Sequence, residues 1–295
     1  PTGRRALATP CSGRIAGVIE DSRTTVGDRV GPVRDWSVRR SYRATDFRAD
    51  DLVAAKAGRR ISVVLPARDE ESTVGEIVTA LRAELMDRVP LIDELVVVDS
   101  HSTDATATVA VGAGARVVAQ GEILPALGDV PGKGEALWKS LAATDGDIVA
   151  FLDSDLREFD TDFAVGLLGP LLTEPEVVFC KGAFDRPPDD GRTVLPAGGG
   201  RVTELVARPL LATHWPALTG FIQPLGGEYA GTRAALESIP FAGAYGVDIG
   251  ILIDLYEAFG LDALAQVDLG RRVHRNSPDS ALAMMAMHQH LAVLE

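Results

Sequence analysis

The stretch Ile148-Val149-Ala150-Phe151-Leu152-Asp153-Ser154-Asp155 indicates both the fold class of this chain and the place of its site. Five apolar residues predict a buried strand, and two carboxylates separated by one residue follow it directly. The carboxyl ends of strands in α/β sheets form the edge at which ligands bind. Mg²⁺ takes one or two carboxylates together with water and the oxygens of a substrate diphosphate. We therefore predict a cation site for a nucleotide-linked substrate, while a turn or helix-capping role fits the same two aspartates.

Similar apolar runs occur on both sides of this stretch and alternate with helical patterns. Strands are predicted at residues 61–65, 95–98, 116–119, 148–152 and 177–180, and helices at 72–88, 202–214, 247–259 and 278–294. This alternation is typical of the α/β class, with a mostly parallel sheet flanked by helices. Residues 1–58 lack a sustained period and are predicted to be an N-terminal extension that packs on the outside or is partly disordered. A single domain, residues 59–295, is predicted to follow.

The composition argues against several classes of partner. The chain has 295 residues, of which 46% are hydrophobic, and a formal net charge of −13. Nucleic acids and anionic membranes are bound by clustered Lys and Arg, so neither is an expected partner. No apolar stretch is long enough to cross a membrane. Cys11 and Cys180 suggest neither a disulfide framework nor a metal spacing, and no signal peptide is apparent, so a cytoplasmic location is expected.

Three polar turns follow predicted strands or precede a predicted helix. Residues 66–71 follow the first strand and residues 99–104 follow the second, so their N–H groups could hold a nucleoside at one sheet edge. Helix capping is expected for some of their side chains and does not exclude binding. The turn Gly132-Lys133-Gly134 lets the backbone approach a ligand closely, and Lys133 could neutralise a phosphate or contact a base edge. Its spacing is not that of a Walker A loop.

The order of these motifs resembles that of a known family. The turns at residues 66–70, 98–104, 132–138 and 153–156 are similar to the nucleotide-sugar half of GT-A glycosyltransferases. The later motifs at residues 198–205, 223–229, 245–250 and 274–276 resemble those of the glucosyl-3-phosphoglycerate synthases and their mannosyl-transferring relatives. The resemblance covers residues 60–293, and the joint match is specific although each motif alone is not.

The resemblance implies a GT-A fold, with a nucleotide-binding half at about residues 60–155 and an acceptor-binding half at about 156–295. It implies a retaining transfer of a hexose to 3-phosphoglycerate, with UDP-glucose as the first choice of donor and GDP-mannose as the second. It also suggests a homodimer. A polyprenyl-phosphate glycosyltransferase and a non-catalytic nucleotide-sugar-binding protein remain alternatives, and a nucleotidyltransferase is less favoured.

The resemblance also assigns roles to individual residues. Asp155 and His274 are the expected ligands of Mg²⁺ or Mn²⁺. Arg68 departs from the hydrophobic residue expected at its position, which bears on the identity of the base. The nucleotide sugar is expected to contact Pro66, Ala67, Arg68, Glu70, Ser100, Lys133, Asp153, Ser154, Leu225, Glu228 and Arg272.

The acceptor and the reaction centre fall on later residues. A glycine-rich turn that leads into a helix exposes N–H groups to an anion, so Gly200, Arg201 and Thr203, with Asn276, are expected to bind 3-phosphoglycerate. In the family an acidic residue stands at the position of Asp248. We expect its carboxylate to stabilise an oxocarbenium-like transition state, although a nucleophilic role is the alternative. Lys133 and Arg272 are then expected to stabilise the leaving diphosphate.

Overall fold

The computed structural model describes residues 26–185, 200–271 and 279–294. Its eight strands are β1 (Ser41–Arg43), β2 (Ile61–Ala67), β3 (Glu94–Asp99), β4 (Arg116–Ala119), β5 (Ile148–Phe151), β6 (Phe179–Asp185), β7 (Tyr229–Thr232) and β8 (Leu264–Arg271). They form one sheet in the order β1-β8-β6-β7-β5-β2-β3-β4. Strand β7 runs antiparallel to both neighbours, and the other pairs are parallel. The predicted mostly parallel sheet is therefore confirmed.

Ten α-helices accompany the sheet in the described residues. They are α1 (Val26–Arg40), α2 (Ala49–Ala55), α3 (Val74–Arg82), α4 (Thr106–Ala113), α5 (Lys133–Ala142), α6 (Asp162–Thr173), α7 (Arg208–His214), α8 (Arg233–Glu237), α9 (Val247–Phe259) and α10 (Asp279–Leu294). A π-helical turn, Ala83–Arg88, extends α3, and another, Thr203–Ala207, precedes α7. In the part of the chain that the structure describes, no helix has the length and apolar character needed to cross a membrane.

Side chains that alternate along the central strands build a core on each face of the sheet. In β2, Ile61, Val63 and Leu65 belong to the core on one face, whereas Val64 belongs to the core on the other. Strand β5 divides in the same way, because successive residues of a strand point to opposite faces. Both faces are therefore covered, as parallel sheets require.

The N-terminal segment contributes to the sheet and to the core. Trp36 of α1 is fully buried, and its indole nitrogen donates to the Leu264 carbonyl at 2.9 Å. Strand β1 pairs in parallel with β8, with Tyr42 opposite Val267. This differs from the expectation that residues up to 58 pack on the outside or are partly disordered. The sequence pattern gave no sign of it because the pairing partner lies more than two hundred residues further along the chain.

Candidate active site

A cleft of about 680 Å³ opens at the carboxyl ends of β2, β3 and β5. Fourteen of the residues expected at the site line it: Pro66, Ala67, Arg68, Glu70, Ser100, Lys133, Asp153, Ser154, Asp155, Gly200, Arg201, Thr203, Leu225 and Asp248. The turns that follow separate strands thus converge as parallel topology requires. Three expected residues, Arg272, His274 and Asn276, lie outside the described residues.

The Asp153-Ser154-Asp155 turn is tied to its surroundings through its central residue. The Ser154 hydroxyl donates to the Pro66 carbonyl at 2.7 Å, and the Thr73 hydroxyl donates to the Ser154 carbonyl at 2.6 Å. Thr73 is the residue that directly precedes α3. These two bonds tie the turn after β5 to the end of β2 and to the residue before α3. The carboxylates of Asp153 and Asp155 are thereby held at the cleft.

The Asp155 carboxylate lines the cleft and is the kind of hard oxygen ligand that Mg²⁺ and Mn²⁺ accept. Within the described ranges, no group of three or more His, Cys, Asp and Glu side chains is arranged to hold a metal ion. A site completed by substrate oxygens and water needs only one or two protein ligands, so the residues present fit such a metal.

A set of ionisable side chains, which we call the charged cluster, forms one wall of the cleft and the layer beneath it. Its members are Lys133, Asp153, Lys181, Tyr229 and Asp248. The Lys133 ammonium lies 2.9 Å from Asp153 Oδ1 and 3.4 Å from Asp248 Oδ1. Burial opposes the charge on Lys133, but the two carboxylates outweigh it and raise the pKa of this lysine. Burial raises the pKa of Asp248, and the two lysines partly offset that effect.

Lys181 is a member of the charged cluster that the sequence analysis missed. It is only 1% exposed, and its ammonium donates to the Gly226 carbonyl at 2.8 Å and to the Asp248 backbone carbonyl at 3.3 Å. It also lies 4.6 Å from the centre of the Tyr229 ring. Burial lowers the pKa of Lys181 to about 8, although nearby carboxylates such as Asp248 act in the opposite direction. The available signal was a lysine directly after an apolar run.

Glu228 takes a different place from the expected one. Its side chain is fully buried, and the cleft-lining residues of its loop are Leu225 and Gly227. The Glu228 backbone carbonyl accepts from the Gly182 N–H at 2.8 Å, and its charge helps to raise the pKa of Lys133. A direct contact between Glu228 and a nucleotide stays a prediction.

A second hydrogen-bonded set, which we call the Ser100 relay, starts at another residue that lines the cleft. It consists of Ser100, Gln120, Asp129 and Lys139. The Ser100 hydroxyl donates to Gln120 Oε1 at 2.7 Å, and Gln120 Nε2 donates to Asp129 Oδ1 at 2.6 Å. The Lys139 ammonium lies 3.3 Å from the same Asp129 oxygen. Of these four residues, the sequence analysis assigned only Ser100 to the site.

The capping expectation is met only by Asp104, whose Oδ1 accepts from the Thr106 N–H at 2.9 Å at the start of α4, whereas Asp69 and Ser102 bond from one turn to the other. Asp69 Oδ1 accepts from the Thr103 N–H at 2.7 Å, while the Ser102 hydroxyl accepts from the Asp69 N–H at 3.0 Å. Asp104 Oδ2 accepts from the Glu71 N–H at 3.1 Å. These bonds fasten the turn after β2 to the turn after β3, and they leave Arg68 exposed at the rim of the cleft.

The end of the cleft at which the acceptor is expected lies between the helical segment that starts at residues 200–203 and helix α10. Thr203 is buried, and the Gly200 carbonyl accepts from the Glu204 N–H at 3.0 Å. The sequence analysis missed the contribution of α10, whose cleft-lining residues are Leu282, Met285, His288 and Gln289. A methionine at helical spacing fits a core, a dimer contact or a cleft wall, so the sequence does not assign Met285 to the cleft.

Comparisons with known proteins agree with this geometry. Residues 62–198 match the family model described as Glycosyl transferase family 2. The structure is similar to mannosyl-3-phosphoglycerate synthase from Rubrobacter xylanophilus, with a TM-score of 0.83 and 43% sequence identity over 88% of this chain and 82% of that chain. The mostly parallel sheet and the cleft behind the Asp-Ser-Asp turn are thus those of a glycosyltransferase with the GT-A fold.

Relatives found by sequence similarity show which family of glycosyltransferases the chain belongs to. Glucosyl-3-phosphoglycerate synthase from Mycolicibacterium smegmatis is 54% identical over 251 residues, which is 85% of this chain and 82% of the relative. The structure of the Mycobacterium tuberculosis enzyme of that name, in complex with Mn²⁺, UDP-glucose and phosphoglyceric acid, is similar with a TM-score of 0.77 and 49% identity, over 84% of this chain and 83% of that chain. The chain belongs to the glucosyl-3-phosphoglycerate synthase family.

Proposed function

We propose that this protein transfers the glucosyl group of UDP-glucose to 3-phosphoglycerate, with retention of anomeric configuration and with Mg²⁺ or Mn²⁺ bound. The observation that carries the proposal is that one cleft is lined by Asp155, by Lys133, Asp153 and Asp248 of the charged cluster, and by the turn at residues 200–203. A cation ligand, groups for a leaving diphosphate and an anion-binding turn are the parts this transfer needs. The names and ligands of the similar proteins support the same substrates.

The donor is proposed to lie with its diphosphate at Asp155 and Lys133. Asp155 and His274 would hold the cation, which supplies electrostatic neutralisation of the leaving diphosphate. Lys133 keeps its charge between two carboxylates and can donate to a phosphate oxygen. Arg272 would add a second positive charge. This arrangement stabilises the charge that develops as the glycosidic bond breaks.

Asp248 is proposed to act on the sugar rather than on the phosphates. It is the second residue of α9, lines the cleft and contacts Lys133. A carboxylate held there can stabilise positive charge on the anomeric carbon while the acceptor hydroxyl attacks from the face that the diphosphate leaves and passes its proton to the departing diphosphate. Attack on that face retains the configuration.

The central experiment incubates the purified protein with UDP-glucose and 3-phosphoglycerate, with Mg²⁺ or Mn²⁺ and after exhaustive chelation. We expect a retained glucosyl-3-phosphoglycerate by NMR, and loss of activity both on chelation and in Asp155→Asn. GDP-mannose is the second donor to test, because of the similarity to the mannosyl-3-phosphoglycerate synthase. Full activity without metal, an inverted product, or transfer to a polyprenyl phosphate instead would overturn the corresponding part of the proposal.

The acceptor assignment has its own variant. Arg201→Ala removes a guanidinium at the turn, and we expect KM for 3-phosphoglycerate to rise on the order of ten- to a hundredfold while KM for UDP-glucose changes little. Arg208→Ala is the control, because that arginine bonds to the Ile222 carbonyl and to Glu204 instead of lining the cleft. Equal changes for both substrates would place Arg201 outside the acceptor site.

We further propose a homodimer, because Met284, Met287 and Leu291 expose apolar side chains along α10. Sedimentation equilibrium tests it, and a monomer at micromolar concentration would contradict it.

A further inference from the structure

Ser100 lies where the base of the donor would fall if the proposed function is correct. It follows β3, which is separated from β5 by β2 alone, so two interstrand spacings divide it from the Asp153-Ser154-Asp155 turn. Two spacings amount to roughly 10 Å, about the reach of a nucleoside measured from its phosphate. The residue is almost fully buried but lines the cleft, so its hydroxyl can meet a base edge.

The orientation of the Gln120 amide is determined by its other partners. Its Nε2 has two neighbours, Asp129 Oδ1 at 2.6 Å and the Val130 carbonyl at 3.0 Å. Both neighbours are acceptors, so a flipped amide would set oxygen against oxygen twice in a fully buried position. The amide oxygen of Gln120 must therefore face Ser100.

Asp129 is kept in its ionised, acceptor-only form. The hydrogen bond from Gln120 and the charge of Lys139 lower the pKa of Asp129. Its second oxygen lies 3.0 Å from His101 Nε2. Lys139 is in turn anchored, because its ammonium donates to the Gly128 carbonyl at 2.7 Å. Lys139 thus holds the Asp129 carboxylate in place, and that carboxylate holds the Gln120 amide.

The proton of the Ser100 hydroxyl is already engaged in a hydrogen bond. It is donated to Gln120 Oε1 at 2.7 Å, and a hydroxyl has only one proton. What Ser100 presents to the cleft is consequently a pair of acceptor lone pairs.

We propose that Gln120, acting through Ser100, is a specificity-determining positioning residue that selects donors whose base carries a ring N–H. Uracil offers such a group at N3 and guanine at N1, whereas N3 of cytosine is an acceptor and would face the Ser100 lone pairs. A polar site built for an N–H discriminates strongly against an analogue that lacks it, because the site is left with an unpaired acceptor. The proposal rests on the proposed function for the place of the base, and it deepens that function by naming the class of donor.

The test compares UDP with CDP, which have bases of the same size. Dissociation constants are measured by calorimetry in the presence of Mn²⁺, and kcat/KM is measured for UDP-glucose and CDP-glucose. We expect the unmodified protein to prefer the uridine compound on the order of ten- to a hundredfold. In Gln120→Met the Ser100 hydroxyl is free to rotate and donate to cytosine N3, so CDP should bind more tightly than it does to the unmodified protein. Structural damage alone does not tighten binding of the wrong nucleotide.

Two further variants keep the test decisive. Ser100→Ala, a small change that should fold, is expected to weaken UDP and leave CDP unchanged. Ser140→Ala is the matched control, because it removes a buried hydroxyl that donates to the Leu137 carbonyl at 2.6 Å outside the relay, and the UDP to CDP ratio should stay the same. Equal binding of UDP and CDP by the unmodified protein, or an unchanged ratio in both Gln120→Met and Ser100→Ala, would overturn the inference. Failure to transfer glucose from UDP-glucose would instead count against the proposed function, since the binding ratio does not depend on turnover.

Discussion

The charged cluster and the Ser100 relay each contain a lysine of helix α5, and the two lysines are surrounded differently. Lys139 is fully buried, and four oxygen atoms surround its three N–H groups: those of the Gly128 and Gln120 carbonyls and of the Asp129 and Glu135 carboxylates. Lys133 has a side chain 18% exposed and faces two carboxylates at the cleft wall. The ammonium of Lys139 uses all its N–H groups within the protein and so holds loops in place, whereas that of Lys133 reaches the cleft and can also bind a ligand.

The comparison predicts that the same substitution mainly lowers activity at position 133 and mainly lowers stability at position 139. Lys133→Met should lower kcat by roughly 10² to 10³, because the leaving diphosphate loses a preorganised positive charge. Lys139→Met should instead lower the free energy of unfolding by roughly 1–3 kcal/mol, since the carbonyls and partly exposed carboxylates around the buried ammonium lose their donor, while kcat falls much less than in Lys133→Met. Steady-state kinetics and urea unfolding of both variants supply the two measurements. If Lys139→Met lost activity without losing stability, the distinction between the two regions would fail.

The second prediction concerns Lys181, whose pKa burial lowers from the ordinary 10.5 to about 8. Between these values the unfolded chain binds more protons at this group than the folded protein, so the group's contribution to stability rises with pH across that window. Below about pH 8 the ammonium of Lys181 is charged in the folded protein, so the full free-energy cost of burying that charge is present. Deprotonation removes this cost as pH rises, and the gain in stability reaches at most roughly 3 kcal/mol near pH 10.5. The stability difference between the unmodified protein and Lys181→Met should therefore shift in favour of the unmodified protein as pH rises through this range.

Urea unfolding of both proteins at several pH values measures that shift. Taking the difference removes the contribution of the remaining titrating groups. Lys181→Arg is the control, because a guanidinium stays protonated throughout the window and should leave no such slope. A difference that does not vary with pH would show that Lys181 is not strained by its burial.

The smallest effect is expected from the loop that packs on the Lys133–Asp153 ion pair. A Cβ at Gly227 would collide with the carboxylate of Asp153 and the ammonium of Lys133. Gly227→Ala should push the pair apart, which lowers kcat, and should lower the free energy of unfolding by about 1–3 kcal/mol, as overpacking typically does. Gly112→Ala is the control, since its Cβ would meet no atom within 4 Å. Unchanged kinetics in Gly227→Ala would show that the charged cluster tolerates displacement.

Much of the site was predictable because its signals are local. Apolar runs followed by polar turns mark β2, β3 and β5, and a parallel sheet brings their carboxyl ends to one edge. The charged cluster was found only in part, through Lys133, Asp153 and Asp248, which belong to motifs. Its remaining lysine carries no motif.

The Ser100 relay was not predictable by the same means, because its members belong to different elements and no spacing connects them. One compositional signal pointed toward it. Only four of the 29 basic residues are lysines, namely Lys56, Lys133, Lys139 and Lys181, and three of them are less than 9% exposed. Lysine is rarely buried without a partner, so in an arginine-rich chain each lysine was a candidate for a specific contact.

Strand β1 and helix α1 illustrate the limit of local patterns. Helix α1 contains Gly27, Gly31 and Pro32, which are poor helix formers, so its sequence does not favour a helix. Tertiary packing stabilises it, because Trp36 is fully buried and donates to the Leu264 carbonyl. A partner so distant in sequence is invisible to any window that reads periodicity.

The hydrogen bond between Trp36 and Leu264 also limits when the growing polypeptide can complete its fold. Trp36 and Leu264 are 228 positions apart, and ribosomes add about 5–20 residues per second, so roughly ten to fifty seconds separate their synthesis. During that interval the indole N–H lacks its Leu264 acceptor, and β1 lacks β8, the strand with which it pairs. Fluorescence of nascent chains stalled before and after β8 would record the arrival of the tryptophan. The edge of the sheet beyond β8 is thus formed by a segment that is synthesised long before β8 itself.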